Sequence, residues 1–75
     1  MNESQARKKA KECFIRNRKL GTAFGLHLIN VKKHKKTDGK WEYVLYLPLG
    51  NSEKKYLAEI DDKTGECTRF EKIEG

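Results

Sequence analysis

Apolar residues recur at helical spacing along the start of the chain. Ala6, Ala10, Cys13 and Phe14 fall on one stripe, with Ile15 on its flank and Leu20 at its end. Arg7, Lys8, Lys11, Arg18 and Lys19 fill the opposite face. Ser4 is placed to cap the N-terminus, and Gly21 to close the helix in a left-handed conformation. The pattern predicts an amphipathic helix over about 4–20 that needs an apolar surface to lie on.

Further along, the period drops to two. The stretch GLHLINVKKHKKTDGKWEYVLYLPLG holds two extended runs around TDG. A three-residue loop of Thr37, Asp38 and Gly39 opposes Lys36 to Lys40, Lys33 to Tyr43, Lys35 to Trp41, Val31 to Leu45 and Ile29 to Leu47. That register gathers Ile29, Val31, Trp41, Tyr43, Leu45 and Leu47 on one face. A two-residue Asp-Gly turn shifts it by one and mixes apolar with basic residues, so the pattern favours the longer loop. Pro48 ends the second run. KKYLAEI then alternates with Tyr56, Ala58 and Ile60 on one side, and ECTRFEKI follows, with Phe70 as its core candidate.

These elements give an α+β fold, one N-terminal helix packed on one face of a 3–4-stranded antiparallel meander sheet. The chain reads as a single domain, 1–75, with strands about 27–36, 40–47, 54–61 and 66–73. One helix covers one face only. Val44, Tyr46 and Leu57 fall on the other, together with Lys32 and His34, and this face is the candidate protein-contact surface.

Charge is uneven along the chain. Residues 1–40 carry twelve Lys/Arg against Glu3, Glu12 and Asp38, a balance of +9, whereas residues 41–75 sum to −3. Lys32, Lys33, Lys35, Lys36 and Lys40 surround one hairpin, with Trp41, Tyr43 and Tyr46 nearby. Basic residues neutralise phosphates and aromatics stack on bases, so a nucleic-acid-binding hairpin and helix form the alternative functional reading. Against it, the register sends Trp41 and Tyr43 toward the helix, and no RNA-recognition, KH or zinc-finger motif is present.

Other chemistry finds little support. Cys13 and Cys67 read as two reduced, half-buried small residues, with a disulfide from helix to last strand as the alternative. His27 and His34, seven positions apart, face opposite sides of a regular strand, and no Cys-x-x-Cys pair occurs, so no metal site is expected. GTAFG lacks the Lys-Ser/Thr of a phosphate loop. No enzyme and no cofactor are expected. With no apolar leader or long apolar run, a cytoplasmic protein without membrane contact is expected.

The segment EIDDKTGEC combines an alternating strand, acids, and a Thr-Gly turn opening a last short strand. Asp61 or Asp62 can accept hydrogen bonds from turn amides, Thr64 can do so with its hydroxyl, and Gly65 can take a positive φ, so Asp61, Asp62, Thr64 and Gly65 read as a structural turn. A hard cation needs more converging oxygens than this turn supplies. The same segment resembles the closing signature of the PepSY family, over roughly residues 6–72 with the helix and hairpin before it. Tyr56 and Ile60 match the family's apolar strand positions, Asp61 its aspartate, and Thr64 and Gly65 its Thr-Gly. The resemblance implies a non-catalytic binding or regulatory module. In the propeptides of thermolysin-like peptidases such domains are associated with inhibition, a role not expected of this basic chain with no peptidase attached. The partners expected are a protein, or a second copy of the chain.

Overall fold

The computed structural model describes residues 1–19, 28–48 and 54–74, without the Glu74 side chain. The chain is an α+β fold, with α1 (Glu3–Asn17) followed by β1 (Asn30–Thr37), β2 (Lys40–Tyr46), β3 (Lys55–Asp61) and β4 (Cys67–Glu74). The four strands form one antiparallel meander in the order β1-β2-β3-β4.

The helix starts earlier than expected because Asn2, not Ser4, is its cap. The Asn2 side chain accepts from the Gln5 amide at 2.9 Å, and the Asn2 amide donates to Gln5 Oε1 at 3.0 Å. This reciprocal box satisfies two amides that a lone serine cap would leave to water. The helix also stops short of residue 20. Asn17 Nδ2 donates to the Cys13 carbonyl at 2.8 Å, and Lys19 turns left-handed at φ 56. Leu20 and Gly21 lie outside the described residues, as does His27.

Ala6, Ala10, Cys13 and Phe14 form the buried stripe of α1. The two alanines let the helix axis approach the sheet, where Ile29, Trp41, Tyr43, Leu45, Leu47, Ala58 and Ile60 complete the core. Phe14 stands edge-on to Tyr56 at 5.5 Å and to Phe70 at 6.0 Å, and those two rings stack at 5.3 Å. The Arg18 guanidinium closes this cluster from outside, 4.9 Å from the Tyr56 ring centre.

Bulges set which residues share a face. At the first hairpin Thr37 opposes Lys40, so the loop holds only Asp38 and Gly39, the latter at φ 80. The three-residue loop is therefore corrected: His34 opposes Tyr43 and Lys36 opposes Trp41, in place of Lys33 and Lys35. A bulge at Lys32 then restores the pairing of Val31 with Leu45. Both local preferences are met, the short Asp-Gly turn at one end and an inward Val31 at the other. A second bulge, at Thr68, lies between the pairs Glu59–Arg69 and Ile60–Cys67. Cys67 and Phe70 are three apart and would face opposite sides of a regular strand. The extra residue puts both toward the helix.

That geometry overturns the expectation of two reduced thiols. Cys13 and Cys67 form a disulfide with Cα atoms 6.3 Å apart. The bulge at Thr68 brings Cys67 to the helix side beside Phe70, the core candidate of this strand.

Candidate functional site

The helix packs on β2, β3 and β4. Among the described residues nothing packs on the outer face of the sheet, and along the edge strand β1, where Val31 packs against the core, Lys32 to Lys36 are all exposed.

On the outer face Val44 and Leu57 oppose each other across β2 and β3, both half-buried, with Tyr46 next along β2. A third bulge, at Ile73, separates the pairs Lys55–Glu74 and Tyr56–Lys72 and leaves Ile73 46% exposed. Lys32, Lys33, Val44, Lys55 and Ile73 line a shallow groove of about 110 Å³. Its floor is apolar and its rim carries lysine ammoniums. Of the five residues expected on this surface, Lys32, Val44, Tyr46 and Leu57 lie there. His34 does not: it faces the helix side and stacks on the Tyr43 ring at 6.0 Å. Lys33 takes its place, opposite Val44. Ile73 escaped the sequence reading because a bulge leaves no periodic trace.

The rest of the outer face is a charge network. Glu59, only 8% exposed, accepts from Lys40 Nζ at 3.1 Å and from the Thr68 hydroxyl at 3.1 Å. The Lys40 ammonium is the main influence holding its carboxyl below the usual range, against burial, which pushes it up. Arg69 pairs with Glu71 beside it.

The five lysines of the first hairpin are thus not one patch. Lys33 and Lys35 project from the outer side of β1, opposite Val44 and Glu42. Lys36 lies on the inner side, 5.3 Å from the Trp41 ring centre and 3.7 Å from Asp62. Lys40 is held by Glu59. Of the three aromatics near these lysines, Trp41 is 8% exposed and Tyr43 fully buried in the core, while Tyr46 is half-buried on the outer face. The Tyr43 hydroxyl donates to the Glu3 carbonyl at 3.2 Å, and burial pushes its pKa up to about 12. It stays protonated and serves as a strut between sheet and helix.

The acidic turn ties the structure together. Asp61 Oδ1 accepts from the amides of Lys63 at 2.8 Å and Thr64 at 3.0 Å. The Gly65 amide donates to the Asp61 carbonyl at 2.9 Å, with Gly65 at φ 76, and Thr64 Oγ1 accepts from Glu66 at 3.2 Å. Asp62 reaches across to accept from the Trp41 indole at 2.6 Å, and its amide donates to the Gly39 carbonyl at 3.0 Å. Both carboxyls are held below their usual range, Asp61 by the Thr64 and Lys63 amides and Asp62 first by the indole. Among the described residues no group of three or more His, Cys, Asp or Glu could hold a metal ion, and no helix is long and apolar enough to cross a membrane.

No family model matches the chain, and neither does any curated protein or solved structure.

Proposed function

We propose that this chain is a small, non-catalytic, PepSY-like binding module that acts by protein contact through the uncovered face of its sheet. The observation that carries the reading is the apolar patch of Val44, Leu57, Tyr46 and Ile73. It lies opposite the face occupied by α1 and is bordered by the lysines of β1 and by Lys55. Exposed apolar surface set in a polar rim is the composition of a recognition surface. The kinship with PepSY domains rests on the EIDDKTGEC turn and on the helix-plus-meander order. Trp41 and Tyr43 committed to the core, and Lys36 and Lys40 committed to Asp62 and Glu59, favour protein over nucleic acid as partner. The Cys13–Cys67 disulfide is the kind of bond that persists in an oxidising compartment.

The test is site-specific photocrosslinking in the native host. A photoreactive residue at Tyr46 is expected to give a discrete protein adduct, and one at Lys8 on the solvent face of α1 is not. Adducts only to nucleic acid, or identical adducts from both positions, would refute the reading.

A further inference from the structure

The outward edge of β1 has properties that the apolar patch does not account for. Among the described residues β1 pairs only with β2. Alternate amides and carbonyls of an edge strand point away from its single neighbour. The sequence of β1 is NVKKHKKT, four lysines and no acid. We infer that this edge takes an extended acidic peptide segment of a protein partner as a fifth strand. The inference rests on the protein-contact reading and names the chemistry of the partner.

The bulge at Lys32 interrupts the ladder and confines the regular edge to residues 33–37. Side chains of an added strand alternate between the two faces. On the outer face they stand beside Lys33 and Lys35, whose β2 partners are Val44 and Glu42. On the inner face they stand beside His34 and Lys36, and Lys36 already faces Asp62. The stronger call for carboxylates is therefore on the outer side, at alternate positions of the incoming segment. Two residues beyond Lys33, on the same outer face, the segment passes the groove of Lys32, Lys33, Val44, Lys55 and Ile73, which accepts an apolar side chain. The recognised motif is acidic at every second residue and ends in an apolar one.

Charge separates this occupant from the others. A second copy of the chain pairing edge to edge sets lysine against lysine, which is the arrangement that keeps edge strands apart. A polynucleotide is attracted by the same lysines but makes no use of a strand's row of amides and carbonyls. An acidic extended segment uses both.

The experiment titrates ¹⁵N-labelled protein with a capped Glu-Val-Glu-Thr-Glu-Thr-Leu peptide, whose three glutamates and leucine share one face of a strand. The controls are the same peptide N-methylated at alternate residues, and an oligothymidylate. Saturable binding is expected, with the amides of residues 33–37 that face away from β2 becoming protected from exchange. N-methylation, or the variant Lys33→Glu/Lys35→Glu, is expected to weaken binding roughly tenfold or more. Equal affinity for the N-methylated peptide, or tighter binding of oligothymidylate, would overturn the inference in favour of a general polyanion site. Absence of peptide binding would also overturn it. If the partner crosslinked at Tyr46 binds without protecting residues 33–37, the edge inference falls while the protein-contact reading stands. If Tyr46 gives no protein adduct, that reading falls as well.

Discussion

Breaking the Cys13–Cys67 bond should cost this domain a large share of its stability. The bridge spans 54 positions of a 75-residue chain. Cross-linking a loop of that length removes about 4 kcal/mol of loop-closure entropy from the unfolded chain. A domain of this size has about 4–11 kcal/mol of stability in total. At roughly 0.16 kcal/mol/K of unfolding entropy, the loss corresponds to a fall in Tm of about 25 °C. Urea unfolding followed by Trp41 fluorescence suits the test, because the indole is buried against Asp62 and leaves that site on unfolding. Curves would be recorded with and without a phosphine reductant, and on Cys13→Ala/Cys67→Ala without it. The two perturbations should agree, and m should rise as the unfolded chain expands. A difference below about 1 kcal/mol between oxidised and reduced protein would refute the reasoning. So would full alkylation of both cysteines in folded, unreduced protein.

Other consequences can be measured in the same way. Phe14→Ala empties the centre of the aromatic cluster and should cost about 3–5 kcal/mol by urea unfolding; a smaller loss would mean that Tyr56 and Phe70 close over the gap. Gly65→Ala should cost about 1–2 kcal/mol, since φ is 76 and the new Cβ would come within 3.0 Å of Met1 Cε. Gly39→Ala meets no atom within 4 Å, so it should pay only the backbone cost and prove the milder of the two. On the acid side, Glu59, Asp61 and Asp62 all have lowered pKa values in the fold. Their contribution is complete above the unfolded values, 4.5 for Glu and 3.8 for Asp, and is lost as pH falls through the lower folded ones. Glu59→Gln/Asp62→Asn should lower stability at pH 7 and flatten its decline below about pH 4.5.

The helix and the core face of β2 were readable because burial there obeys a single unbroken period. Ala6, Ala10, Cys13 and Phe14, and then Trp41, Tyr43 and Leu45, point where spacing puts them. The edge elements were less legible. Two rules competed at the first hairpin, a short turn for Asp-Gly and an inward face for Val31, and only an extra residue at Lys32 satisfies both. Choosing one rule placed His34 on the wrong side. On β4 the pairing of Cys67 with Cys13 was foreseen only as the alternative, because a reducing compartment was expected, and the extra residue at Ile73 hid a member of the outer patch. A bulge is settled by the neighbouring strand, and that information is not local to the segment that contains it. The helix start differed for a simpler reason, since Asn2, two residues before the serine, forms a complete box with Gln5.

Cys13 and Phe14 are consecutive on α1, and each is fastened to β4, one covalently through Cys67 and one by ring contact with Phe70. Two anchors set about 100° apart around a cylinder prevent it from rolling about its own axis. The solvent face of the helix, with Lys8, Lys9 and Glu12, is therefore held at a fixed azimuth to the sheet. Anything that meets both layers at once encounters charges whose bearing does not drift.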